Sequence, residues 1–140
     1  MARTTFNGPV ASQNGFISGH QVATANAINA TATATAAQVA TGYITSTSAA
    51  ATTITLPTGT LLGAALGATQ GTVLDLFIDN TAGANTVTIA VATNGILSAA
   101  AAAGSAAGAG LLTVPSGVTG VGCFRIMFSS ATAYVFSRIA

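Results

Sequence analysis

The sequence has almost no charged side chains. Its 140 residues include three arginines, two aspartates and one histidine, and there is no lysine, glutamate or tryptophan. Charged residues make up 4% of the chain, against about 25% in an average soluble domain. A net charge of +1 gives almost no attraction to nucleic acid or to an anionic membrane, so we expect neither as a partner. Because low net charge also favours association, we expect much of the surface to contact other protein.

The shortage of reactive side chains excludes most catalytic and metal sites. Cys123 is the single cysteine, so an intrachain disulfide is excluded. His20 has no partner at the spacing of a metal site. Asp75 and Asp79 lie four residues apart, which in a strand is ~13 Å and too far to share a proton; we expect Asp79 to cap the turn that follows. The chain is therefore predicted to be no enzyme, with no cofactor and no metal.

Short segments of alternating or β-branched residues, separated by turn residues, are typical of β-strands. TVLDLFID and NTVTIAVA predict one hairpin, and VGCFRIMF and AYVFSRI predict a second, closing hairpin. Short helices are predicted at AAQVATG and TLLGAALG. The absence of a fixed repeat of about 20–50 residues disfavours a solenoid. We predict a mainly β fold, an antiparallel β-barrel or a jelly-roll-like sandwich, with an extended N-terminal arm and at most short helices.

The domain organisation follows from composition. Residues 1–20 have no helix or strand period and predict an extended N-terminal arm, and residues 21–140 predict a single β domain. From Gly95 to Val114 the chain reads GILSAAAAAGSAAGAGLLTV, which is long enough to span a membrane. Its centre of small residues and its lack of basic flanks favour a flexible loop.

One arginine stands inside an otherwise apolar predicted strand. Arg125 lies in VGCFRIMF, and an unpaired buried charge costs several kcal/mol. Asp75 is the obvious partner, in an ion pair that is buried in the fold or formed across an interface between subunits. The alternative is that Arg125 and Arg138 both emerge at the rim of a sheet.

Thr-x-Thr motifs raise a different class of function. Flat arrays of such motifs can match a water lattice, as in ice-binding proteins, which need even spacing. Here the motifs fall at 31–35, 45–47, 53–55 and 86–88, with no common interval. An ice-binding protein is therefore only a distant alternative.

A family resemblance gives the leading expectation. The opening MARTTFNGPVASQNGFISG resembles the start of small virion proteins of tailed bacteriophages, particularly those that infect cyanobacteria and other marine bacteria. The segments TAAQVATGYITSTSAAATTITLPTGTLLGAAL, GTVLDLFIDNTAGANTVTIAV and FRIMFSSATAYVFSRI are similar to a module that recurs in phage structural proteins. The resemblance covers most of the chain, although the alanine-rich stretch 95–110 departs from it.

The resemblance implies a capsid decoration (cement) protein. Such a protein is β-rich and often homotrimeric, binds the major capsid protein on the outer surface of the head, and clamps neighbouring capsomers. Its location would be the virion, after assembly in the host cytoplasm. A tail, fibre or head-spike component is the alternative.

The N-terminal arm then acquires a role. We expect it to latch the protein to its neighbours by adding a strand to an exposed sheet edge. Phe6 and Phe16 would anchor in apolar pockets, Arg3 would pair with an acidic group of the capsid, and Pro9 would set a bend. The alternative is a disordered terminus without a role.

Overall fold

The computed structural model describes residues 26–97 and 112–140, which form two β-sheets and two short helices. The helices are α1 (Ala36–Ala40) and α2 (Gly59–Leu66). The strands are β1 (Ala32–Thr33), β2 (Tyr43–Thr45), β3 (Thr52–Thr55), β4 (Val73–Asp79), β5 (Val87–Ala90), β6 (Gly95–Leu97), β7 (Thr113–Val114), β8 (Val121–Ser130) and β9 (Ala133–Arg138).

The chain alternates between the two sheets. One sheet has the order β1-β3-β5-β7, and the other has the order β2-β4-β8-β9-β6. Consecutive strands therefore lie in opposite sheets until the final β8–β9 hairpin. Because of this alternation, β3 pairs in parallel with β1 and with β5, and β2 pairs in parallel with β4. The long strand β8 pairs antiparallel with both of its neighbours.

The mainly β class is confirmed, but the detailed topology differs from the expectation. Both sheets mix parallel and antiparallel pairs, and neither closes into a barrel over the described residues. The antiparallel barrel or jelly-roll sandwich is thus not confirmed. The predicted hairpin of β4 and β5 is wrong, because β4 pairs with β2 and β8 whereas β5 pairs with β3 and β7. The closing hairpin is confirmed.

Buried side chains from both sheets form one hydrophobic cluster. Its largest members are aromatic: the rings of Phe124 and Phe136 stack with centroids 5.0 Å apart, and Phe128 meets Tyr134 edge to face at 5.9 Å. The four-stranded sheet contributes mainly aliphatic residues, including Ile54. Phe124, Ile126 and Phe128, which alternate along β8, are all buried.

Both helices begin at a threonine cap. Thr35 and Gln38 form a reciprocal capping box at the start of α1, and Thr58 accepts a hydrogen bond from the backbone of Leu61 at the start of α2. Helix α2 lies against the turn between β8 and β9. A Cβ at Gly63 would overlap the carbonyl oxygen of Ala131, so this close approach requires glycine.

A buried asparagine links the ends of the two sheets. Asn80 follows β4 and is fully buried. Its side-chain nitrogen donates to the carbonyl oxygens of Asn85, Val114 and Pro115 at 2.8, 3.2 and 3.0 Å. Its backbone N–H donates to the carbonyl of Gly120 at 2.6 Å. One amide group thus holds the end of β4, the approach to β5 and the end of β7 together.

Some sequence predictions lie outside the described residues. These are the N-terminal arm 1–20, with Arg3, Phe6, Pro9, Phe16 and His20, and most of the loop predicted between Gly95 and Val114.

We predict that Asn80→Ala lowers the free energy of unfolding by about 1–3 kcal/mol, because one buried and two partly buried carbonyls lose their donor. Asn80→Asp keeps the shape but sets an anion against those carbonyls, so it should destabilise at least as much at pH 7. Urea denaturation measures both. The control is Asn85→Ala, which removes one exposed hydrogen bond to Ala49 and should cost about 1 kcal/mol or less. Equal losses at the two positions would contradict the linking role of Asn80.

Candidate interaction surfaces

The outward-facing side of the five-stranded sheet is unusually apolar. Cross-strand partners share a face, so the registers Tyr43–Phe77, Phe77–Cys123 and Val73–Met127 place these side chains on one side of the sheet. We call this surface the apolar face. Its large hydrophobic side chains are between 44% and 49% exposed, and they are Tyr43, Val73, Phe77, Val121, Met127 and Ile139.

An ion pair crosses the centre of the apolar face. Asp75 of β4 lies opposite Arg125 of β8. The guanidinium donates Nε to Oδ1 at 2.7 Å and Nη2 to Oδ2 at 2.8 Å, a two-point contact. The side chains are 37% and 46% exposed, so the pair forms within the fold and is not buried. Hydrogen bonding to Arg125 lowers the pKa of Asp75 below its usual 3.8.

The second carboxylate has no cationic partner among the described residues. Asp79 accepts the hydroxyl of Tyr43 at 2.6 Å and the backbone N–H and hydroxyl of Thr81 at 3.0 and 2.7 Å. These bonds, that of Tyr43 first, lower the pKa of Asp79, and the same carboxylate raises the pKa of Tyr43. The predicted turn cap is confirmed.

Cys123 occupies the apolar face beside Phe77 and is half-buried. Burial, and to a smaller extent the charge of Asp75, raises the pKa of its thiol. The thiol is therefore mostly protonated near neutral pH and is a weak nucleophile. The rate at which this thiol reacts with a labelling reagent can report whether the apolar face is covered.

Two grooves flank the apolar face. The larger, about 600 Å³, runs beside the edge strand β2 and is lined by Thr41, Gly42, Tyr43, Val73, Leu74, Asp75 and Phe77. The smaller, about 260 Å³, lies at the other end, beside Met127 and Val135. Asn26 holds the described chain at the first groove, because its side chain donates to the hydroxyl of Thr41 at 2.8 Å. The described chain therefore begins beside that groove.

The outward side of the other sheet carries hydroxyl groups. The register places Thr53, Thr88 and Thr113 side by side on β3, β5 and β7, and Thr33 beside Thr55. We call these five residues the threonine face. The alternate positions of these strands, such as Ile54 and Ile89, are buried. Three of the four Thr-x-Thr motifs, at 31–35, 53–55 and 86–88, thus come together in space, whereas the motif at 45–47 begins in β2 of the other sheet.

Arg138, the other described arginine, connects the two sheets. Its Nη1 donates to the carbonyl of Thr113 in β7, and its guanidinium carbon lies 5.6 Å from the centroid of the Phe124 ring in β8. Its Nε donates to the carbonyl oxygen of Ala140 at 2.9 Å. This side chain is thus held by the fold and is not aimed at the apolar face.

The described residues do not assemble a metal or membrane-spanning site. Across 26–97 and 112–140 no group of three metal-ligating side chains is found. Over the same ranges, no helix has the length and apolar character needed to cross a bilayer.

Comparison with known proteins adds no relative: no protein-family model, curated protein or solved structure matches this chain. The two unlike faces therefore carry the functional argument. The sequence pointed to Asp75 and Arg125, but it did not single out the apolar face. The signal was present in TVLDLFID, whose apolar residues occupy both faces of the strand.

We predict a small loss of stability in acid. The folded-state pKa values of Asp75 and Asp79 are lowered, so their contribution is present above the unfolded value near 3.8 and is lost as the pH falls through the folded values. Urea denaturation from pH 6 to about pH 2 measures this. Asp75→Asn should flatten the acid loss, and an unchanged profile would contradict the pair's contribution. Because the pair is exposed, the effect should be small and should weaken in salt.

Proposed function

We propose that this chain is a structural virion protein, a capsid decoration (cement) protein that acts as an oligomer on the outer surface of a tailed-phage head. Its partners are the major capsid protein and further copies of itself, and no catalytic step is part of the proposal. One observation carries it: a chain with very few charges has a threonine face on one sheet and an apolar face on the other. The family resemblance of the sequence agrees with this role.

The two faces suit a protein that presents one face to water and buries the other against protein, either the capsid or a further copy of itself. Hydroxyl groups hydrate the threonine face without charge, whereas burial of apolar surface gains about 25 cal/mol per Å². Contiguous exposed apolar patches mark interaction sites on soluble proteins. The proposal needs two sheets with unlike outer faces, and it does not depend on an antiparallel barrel or jelly-roll topology.

The N-terminal segment supplies the second part of the proposal. Residues 26–28 run beside β2, with the N–H of Ile28 donating to Thr45 and the N–H of Thr45 donating to Asn26, both at 2.9 Å. The described chain thus begins at an edge of the sheet that carries the apolar face. From this edge Phe6 and Phe16 can reach a neighbouring subunit, since ten extended residues span about 33 Å. Binding at several sites by an oligomer would strengthen a weak single latch.

An ice-binding function is a second candidate, favoured by the threonine face. Adjacent strands lie about 4.8 Å apart, so Thr53, Thr88 and Thr113 form a short, evenly spaced row. Thermal hysteresis in the purified protein would support this candidate. Thr88→Val, which removes the hydroxyl of the middle row position, should then abolish the hysteresis.

We predict that deleting residues 2–19 abolishes binding to heads and leaves the fold intact. The strand pairing of both sheets joins residues within 26–97 and 112–140, so circular dichroism and the urea midpoint should not change. Binding is measured by adding purified protein to heads that lack it and counting bound copies by electron microscopy.

The matched control for the deletion is the full-length variant Phe6→Ala/Phe16→Ala, which keeps the segment but removes its proposed anchors and should weaken binding. Undiminished occupancy by the deletion variant would refute the latch. Label found on tails or fibres would refute the head location.

A further inference from the structure

We infer that the apolar face is a contact between two copies of this chain, related by a twofold axis that runs along the strands between β4 and β8. This inference rests on the proposed assembly role and names the partner of that face. It uses only the register, the exposure and the charges of the described residues.

The ion pair at the centre of the face is complementary to the same ion pair on a second copy of the chain. Asp75 and Arg125 sit on neighbouring strands in the same row. Rotation about an axis parallel to those strands places Asp75 of one copy over Arg125 of the other, and the reverse. Rotation about an axis across the strands would instead place like charges over each other. Of these two face-to-face orientations, charge therefore selects the first.

The apolar side chains agree with this orientation. Strands β4 and β8 also pair Val73 with Met127 and Phe77 with Cys123. The same rotation sets Val73 over the Met127 position of the second copy, and Phe77 over its Cys123 position. Tyr43, on β2, comes over the position of Ile139, which follows β9. Apolar groups thus meet apolar groups in the rows next to the ion pairs, in the manner of aligned sheets that pack face to face. Asp79, at the end of β4, comes over the Val121 position at the rim of the contact.

The size of the face predicts a weak contact. Four strands about 4.8 Å apart and a β4 of seven residues give roughly 20 by 23 Å, or about 450 Å² of plane on each copy. Specific interfaces bury about 800 Å² of surface per partner, so this one lies at the small end. We expect copies to separate on dilution, with the pairing reinforced on a lattice.

The closing experiment measures mass by sedimentation velocity over a wide concentration series. As the concentration rises, the measured mass of the wild-type protein should increase from that of one copy, 13.4 kDa, towards twice that value. Phe77→Glu should keep the protein monomeric, because it places a charge on the apolar face. It should not unfold the protein, because the Phe77 side chain is 44% exposed. Val118→Glu is the matched control: Val118 is fully exposed in the turn before β8 and outside the face, so pairing should persist.

Charge reversal tests the orientation. Asp75→Arg and Arg125→Asp should each weaken pairing by about tenfold or more, because like charges then face each other. The double variant Asp75→Arg/Arg125→Asp should restore pairing, since opposite charges again lie face to face. Failure of the double variant to recover, with its fold intact by circular dichroism, would overturn the twofold arrangement.

Cys123 provides a readout on the face itself. As the only thiol in the chain, it should react with a maleimide more slowly as concentration rises, and Phe77→Glu should abolish this protection. Protection that is equal at all concentrations would show that the chain covers its own face and would overturn the inference. A trimer as the smallest associated species would also overturn it.

The self-association measurements are made without heads, so the two proposals can fail separately. A protein that is monomeric at every concentration but binds heads would refute the pairing and would not affect the proposed decoration role. A protein that pairs but never appears on heads would leave the pairing standing and refute the decoration role.

Discussion

The fold depends on one buried amide group. Asn80 ends β4, and its side chain holds the backbone of the segments that lead into β5 and out of β7, in the opposite sheet. A chain that alternates between sheets must make many crossings, and at most of them the backbone can turn through solvent. At this crossing Asn80 itself is buried although residues 81–86 are largely exposed, and the carbonyls that face its side chain take their donor from it. Gly120 also packs closely against the backbone of Asn80, and a Cβ at this position would overlap that backbone.

Local patterns in the sequence predicted the elements well and their neighbours poorly. VGCFRIMF was correctly predicted as a strand and TLLGAALG as a helix, because both depend on local geometry. The pairing of β4 with β5 was wrong, because a period of two tells which side of a strand is buried and not which strand lies beside it. The parallel pairs β1–β3, β2–β4, β3–β5 and β6–β9 begin 20, 30, 35 and 38 residues apart, so no regular repeat was visible.

The scarcity of charge made one tertiary contact predictable. With two acidic side chains in the chain, Arg125 had few partners to choose from, and Asp75 is the one it meets. The exposure of the surface on which they lie was not predictable in the same way. Apolar residues on both sides of β4 are typical of a strand buried between layers, and only the three-dimensional arrangement places one of those sides outside.

The position of β8 has a consequence for synthesis. It occupies the middle of the five-stranded sheet, yet it is made near the end of the chain. During translation β2 and β4 therefore emerge with one whole edge unpaired, and the sheet can close only after the ribosome has released the C-terminal hairpin. A nascent chain in that condition is prone to pair its open edge with the chains of neighbouring ribosomes on a polysome.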